Sequence, residues 1–172
     1  MDKSSNGQRT VFVTVGTTEF DVLVQKLLSD DVLSLLAQQG FDSLCLQIGR
    51  GSEPTIPECP PLAVKWYRFK NSLESDMHNA ALLISHAGAG SILEGLRCPA
   101  CLLVVVNDKL MHNHQQELAH ELADRGHLLA TTPNGLFEAL RAAPEQFAKL
   151  QPLPASDPSL FPRFLTSQLG LS

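Results

Sequence analysis

The sequence predicts a doubly wound α/β domain, a mainly parallel sheet with helices on both faces, followed by a C-terminal helix on a tether. Short apolar runs, often β-branched, alternate with stretches of helical period along the chain, the order of strand–helix–strand units. Two runs, Leu82–Ser85 and Leu102–Val106, are apolar almost without interruption, as strands covered on both faces are. Glycine-bearing segments follow strand runs directly, which opens a ligand crevice at the carboxyl edge of a parallel sheet.

In chain order, residues 1–9 are polar, lack the apolar core of a secretory signal and read as a disordered leader. Strands are predicted at Val11–Val15, Leu44–Ile48, Ala63–Tyr67, Leu82–Ser85, Leu102–Val106 and Leu128–Ala130, each bounded by Gly, Pro or polar residues. Between the first two, Phe20 to Gln38 carries Leu23, Leu27, Leu28, Leu35 and Leu36 on one stripe and reads as a helix. Gly49 to Pro61 holds four prolines and reads as a loop. Asn71–Asn79, Ser91–Leu96, His114–Asp124 and Asn134–Ala142 are shorter helices, with Gly126 as a stop after the third. Prolines thicken from Pro144. The domain is therefore bounded at residues 10–143, and residues 144–172 form a tether ending in an amphipathic helix, Phe161–Leu169.

Composition narrows the function. A net charge of −5 with no run of Lys or Arg argues against a duplex nucleic-acid partner, whose phosphates are bound mainly by basic side chains. One Trp and one Tyr make a poor platform for stacking single-stranded bases. No apolar stretch approaches the ~20 residues that span a bilayer. Four cysteines do not make a disulfide framework in a chain this size, so a reducing, cytosolic compartment is expected.

Three segments carry candidate chemistry, each after a strand. The first is Gly16-Thr17-Thr18. The second runs from Ser85 through His86, Ala87, Gly88, Ala89, Gly90 and Ser91 into a helix containing Glu94. A glycine-rich strand-to-helix turn suits phosphate because the backbone approaches closely, the first helical N–H groups lack internal partners, and the dipole adds positive charge. Ser91 adds a hydroxyl, and Glu94 lies where a carboxylate accepts from ribose. Gly88 and Gly90 equally suit a plain tight turn with close helix–sheet packing. The third segment, Asn107 to Glu117, is dense in amides and imidazoles, which suit sugar hydroxyls, with Asn113, His114 and Gln115 at its centre. It also reads as an ordinary helix start, with Asn113 as cap and Gln116 in the capping-box position.

Other chemistries fit less well. After Val15 the chain reads Gly16-Thr17-Thr18-Glu19-Phe20, without the G-x-G-x-x-G dinucleotide fingerprint, and no G-x-x-x-x-G-K-[ST] loop occurs. Cys98-Pro99-Ala100-Cys101 has the spacing of a redox pair, but Cys98 falls at a helix C-terminus, where the dipole opposes thiolate formation. His112-x-His114 and one C-x-x-C are too few ligands for structural zinc. No Asp-x-Asp is present to clamp a metal-bound diphosphate. His86 is a general base by type, and also of a size to pack beneath the glycine turn.

Together these residues resemble a known family. Ser85-His86-Ala87-Gly88-Ala89-Gly90-Ser91 with Glu94, Val105-Val106-Asn107, and Asn113-His114-Gln115 with Glu117-Leu118-Ala119 carry the likeness. Val13 to Thr18 and Gln47-Ile48-Gly49-Arg50-Gly51 extend it, over roughly Thr10 to Leu140. The family is that of the cytosolic catalytic subunit of the eukaryotic dolichol-pathway UDP-N-acetylglucosamine (UDP-GlcNAc) transferase. That subunit is similar to the C-terminal half of the bacterial enzyme that glycosylates lipid-linked peptidoglycan precursor. Where relatives have a Gly-Lys-Pro turn, this chain has Cys98-Pro99-Ala100-Cys101.

The resemblance implies a Rossmann-like GT-B C-terminal half that binds UDP-GlcNAc. Gly16, Thr17 and Thr18 would line the diphosphate side, and Gly88, Ala89, Gly90 and Ser91 would hold phosphate. Glu94 would meet the ribose, and Asn113, His114 and Gln115 the sugar. It implies transfer to GlcNAc-diphosphate-dolichol with inversion, no obligatory metal, and a membrane-anchored partner supplying the acceptor half at the cytosolic face of the endoplasmic reticulum. A non-catalytic sugar-nucleotide-binding module on the same fold is the alternative. Phe161–Leu169 either docks on the partner or packs on its own domain.

Overall fold

A computed structural model of the chain describes residues 7–107 and 114–152, with the side chains of His114 and Gln115 left out. Six strands, β1 (Thr10–Thr14), β2 (Ser43–Gln47), β3 (Ala63–Tyr67), β4 (Ala80–His86), β5 (Cys101–Val105) and β6 (Leu129–Thr131), form one sheet. All adjacent pairs are parallel, in the order β3-β2-β1-β4-β5-β6. From β1 the chain steps outward to β2 and β3. It then returns to pair β4 with the free edge of β1 and steps outward the other way. The switch point, where a parallel sheet opens its crevice, therefore lies between the carboxyl ends of β1 and β4.

Alternate strand residues feed two cores. Val11, Val13, Leu44, Leu46, Leu82, Ile84, Leu103 and Val105 meet α1 (Asp21–Leu27), α2 (Asp30–Gln38) and α6 (Leu136–Phe147). Phe12, Cys45, Leu83, Leu102 and Val104 meet α3 (Glu74–His78), α4 (Ala89–Arg97) and α5 (His114–Asp124). Both faces are covered, which explains the unbroken apolar runs of β4 and β5. Gly95 of α4 lets that helix lie close to the sheet, since a Cβ there would sit 2.9 Å from Leu83 Cδ2 and 3.1 Å from Leu102. Among the described residues no helix is long and apolar enough to cross a membrane.

The six strands lie where expected, and several helices differ. The single helix expected from Phe20 to Gln38 is two, because Ser29 is extended (φ −70°, ψ 147°) and its hydroxyl donates to Lys26 O at 2.6 Å. Asp30 and Asp31 then start α2 with charge that suits its N-terminus. The helix expected over Asn71–Asn79 is confined to Glu74–His78. The helix expected to open at Ser91 opens at Ala89, with Gly88 as its cap. Arg9, placed in the leader, is tied down: its N–H donates to Asp42 Oδ2 at 2.7 Å and its guanidinium to Gln39 O at 2.8 Å.

The helix expected to end at Ala142 runs through Pro144 to Phe147. Proline cannot donate to the carbonyl four residues back, here that of Leu140. Gln39 Nε2 donates to Leu140 O instead, at 2.8 Å. Beyond the helix, Gln151 N donates to Gly126 O at 2.8 Å and ties the chain after α6 to the end of α5. The helix expected over Phe161–Leu169 lies outside the described residues.

Candidate functional site

At the β1 side of the crevice, Gly16 has φ +64°, a conformation that favours glycine. Its peptide is clamped by Gln47, a buried amide at the end of β2. Gln47 Oε1 accepts from Thr14 Oγ1 at 2.6 Å and from Gly16 N at 3.1 Å. Gln47 Nε2 donates to Gly16 O at 2.8 Å and Arg68 O at 2.7 Å. All four bonds open to a primary amide are thus made. Thr18 is also engaged: its N–H and hydroxyl donate to Val15 O, and its carbonyl accepts from Arg50 N at 2.9 Å. Gly49 (φ +56°) allows this contact, because a Cβ there would strike Thr18 O and lie 2.8 Å from Gly16 O. Of Gly16, Thr17 and Thr18, only Thr17 makes no hydrogen bond within the described residues.

The loop after β2 is stitched into the same structure at its start. Ser52 N donates to Asp21 Oδ1 at 3.0 Å, and Arg68 Nη1 donates to Gly51 O at 2.6 Å. Sequence reasoning left Gln47 without a role and did not single out Arg68. The available signal was one amide at the end of the apolar strand Leu44-Cys45-Leu46.

The β4 side is built differently. Gly88 (φ −69°, ψ 127°) caps α4, and its carbonyl accepts from Ile92 N at 2.9 Å. The N–H groups of Ala89, Gly90 and Ser91 make no hydrogen bond within the described residues, and no side chain caps the helix. No acidic residue lies in its first turn, whereas α1, α2, α3, α5 and α6 each carry at least one. Gly90 is open, with nothing within 4 Å of where a Cβ would stand. Among the described residues the positive end of α4 is thus uncompensated and approachable, the chemistry of an anion site. Glu94 is exposed one turn on.

His86, the last residue of β4, lies between the two sides. The Cε1–Nε2 edge of its ring occupies the space a Cβ would need on both Gly16 and Gly88. Its buried Nδ1 makes no well-formed hydrogen bond among the described residues. Burial pushes the imidazole below its ordinary pKa of 6.5, while the nearby Thr14 carbonyl works the other way.

The third segment enters in part. Gln116 Nε2 donates to Asn107 O at 3.0 Å, fixing the backbone after β5. Asn113 lies outside the described residues, and only the backbone of His114 and Gln115 is described, at the start of α5. Cys98 closes α4 with its thiol on Glu94 O at 3.3 Å. Burial and then the Glu94 and Glu74 charges push that thiol's pKa up, and burial raises Cys101. Neither is poised as a thiolate nucleophile. A cavity of about 200 Å³ lies off the crevice, between α1 and residues 52–55, with Val24, Leu28 and Pro54 in its wall.

Comparison with known proteins matches residues 10–157 to the glycosyltransferase family 28 C-terminal domain. The chain is 47% identical over 125 residues to the UDP-N-acetylglucosamine transferase subunit ALG13 of Mus musculus. That match covers 72% of this chain and 11% of the mouse protein, so the chain spans only a small part of that relative. Identity to the ALG13 subunit of Saccharomyces cerevisiae is 34% over 197 residues, covering 94% of this chain and 96% of the yeast protein. A solution structure of ALG13 superposes with a TM-score of 0.66 at 34% identity, over 92% of this chain and 95% of that one.

Proposed function

The chain belongs to the glycosyltransferase family 28 C-terminal domain family, and from that premise we propose that it binds UDP-GlcNAc at the switch crevice and transfers the sugar in the dolichol pathway. The observation that carries this reading is the start of α4, three N–H donors without partners among the described residues at the topological switch point.

The diphosphate lies against the N–H groups of Ala89, Gly90 and Ser91, with the Ser91 hydroxyl as a further donor. Gly90 lets the backbone approach. Thr17 offers an amide and a hydroxyl from the facing loop, which Gly16 and Thr18 hold in shape. Glu94 accepts from the ribose. Asn113, His114 and Gln115 meet the N-acetylglucosamine.

The acceptor hydroxyl of GlcNAc-diphosphate-dolichol attacks the anomeric carbon as UDP departs, giving the inverted β1,4 product. Charge grows on the leaving diphosphate, facing backbone donors that are already oriented and a helix dipole of roughly half a positive charge. No obligatory metal is assigned to this step. His86 is packed by its ring edge against two glycines, so the proton acceptor is assigned to the partner. That partner is a membrane-anchored subunit supplying the acceptor half and recruiting the chain to the cytosolic face of the endoplasmic reticulum.

The test is transfer by the chain purified with such a partner. UDP-GlcNAc and the lipid acceptor should give product, and UDP-glucose should not. Glu94→Gln should raise the donor KM about tenfold, the loss of a charged hydrogen bond. A complex that binds UDP-GlcNAc but transfers nothing would favour the non-catalytic module.

A further inference from the structure

We propose that His86 is a positioning residue, the spacer that sets the gap between the β1 loop and the start of α4 and so fits the crevice to a diphosphate. The proposal rests on the nucleotide-binding reading above. One edge of one ring touches both sides of the crevice. A Cβ built on Gly16 would lie 2.7 Å from Cε1 and 3.1 Å from Nε2; one built on Gly88 would lie 2.9 Å from Cε1 and closer still to Nε2. These are closer than side-chain atoms pack, so the two glycines and the ring form one sandwich.

The two glycines are not equivalent. At Gly16 a positive φ disfavours other residues on its own account. At Gly88 the backbone (φ −69°, ψ 127°) is open to any residue, and the obstacle to a side chain is the His86 ring. Gly88 is therefore glycine because His86 is histidine. Among the described residues the buried Nδ1 makes no well-formed hydrogen bond, with the Thr14 carbonyl beside the ring, and this fits the same account. A spacer needs the ring's rigid, flat shape more than a full set of hydrogen bonds. Ser85, fully buried at the preceding position, donates to His86 O at 2.9 Å and steadies the residue that carries the ring.

A spacer matters most to a ligand gripped from both sides. UDP, long enough to meet the α4 N-terminus and Thr17 together, depends on the gap, whereas UMP depends on it less. The experiment is calorimetric titration of UDP and UMP into the full chain, for wild type, His86→Ala, Gly88→Ala and the double variant, with thermal unfolding of each. His86→Ala should weaken UDP about tenfold or more and UMP by less, shrinking the preference for UDP. Gly88→Ala should weaken UDP strongly in the wild-type background and less than about twofold beyond His86→Ala. If His86→Ala does not fold, His86→Asn carries the same comparison with a shorter side chain.

Loss of UDP and UMP affinity by the same factor would make His86 a merely structural residue and overturn the proposal. Equal effects of Gly88→Ala in both backgrounds would do so too. A wild-type chain that binds neither nucleotide would overturn the nucleotide reading itself. Failure of the spacer alone is distinct from that, because the wild type would bind UDP normally and His86→Ala would keep its preference.

Discussion

The two walls of the crevice both carry glycine after a strand, and they use it in opposite ways. On the β1 side the glycines serve internal construction: Gly16 adopts a left-handed conformation, and its peptide is bonded on both faces by Gln47. On the β4 side nothing lies within 4 Å of where a Cβ on Gly90 would stand, and the helix that begins beside it leaves its first donors unbonded within the described residues. One wall is a finished scaffold and the other presents donors. A glycine in a ligand-edge turn therefore implies binding only where the backbone groups around it remain unspent.

The largest effect expected from this contrast is at Gln47. Gln47→Leu would leave the buried Thr14 hydroxyl without its acceptor and the Gly16 and Arg68 carbonyls without their donor, with the Gly16 N–H keeping only its bond to Thr14 Oγ1, and should cost on the order of 3 kcal/mol in urea unfolding. An effect below about 1 kcal/mol would mean that water replaces the amide and the scaffold is not closed.

Gly16→Ala comes next, at roughly 2 kcal/mol, combining left-handed strain with the His86 contact. Gly90→Ala should have the opposite sign. It adds a better helix former in open space and should stabilise the fold by about 0.5–1 kcal/mol, yet weaken UDP binding. Destabilisation at Gly90, or unchanged UDP affinity, would break the contrast between the walls.

The smallest effect expected is on pH dependence. The folded imidazole of His86 lies below its ordinary 6.5, mainly through burial, so as pH falls the unfolded chain takes up that proton first. The contribution to stability is complete above 6.5 and is lost as pH drops below it. His86→Leu should flatten the fall in unfolding temperature between about pH 7 and pH 5. An unchanged slope would show that the ring titrates freely.

The strands, the switch-point turns and the family motifs were legible because they are local: apolar runs, glycine after a strand, a helical stripe. What escaped the sequence depended on distant partners. Proline at 144 reads as a stop, and the helix continues because Gln39, 101 residues away, takes the orphaned Leu140 carbonyl. The break at Ser29 hides inside a continuous apolar stripe, since Leu28 and Val32 are buried on either side of it. Gly16 and Gly88 look alike in sequence, and only the folded chain puts one imidazole against both. The same holds for Gln47, whose four bonds reach two separate segments, residues 14–16 and Arg68.

The central claim is that the start of α4 is the diphosphate site, and the most direct measurement is a titration of UDP-GlcNAc into the isotope-labelled full chain, followed by backbone amide shifts. The largest shifts should fall on Ala89, Gly90 and Ser91, with Gly16 and Thr18, whose N–H groups are already bonded, moving less. Saturable shifts centred on α1 and residues 52–55, with Ala89 to Ser91 still, would contradict it.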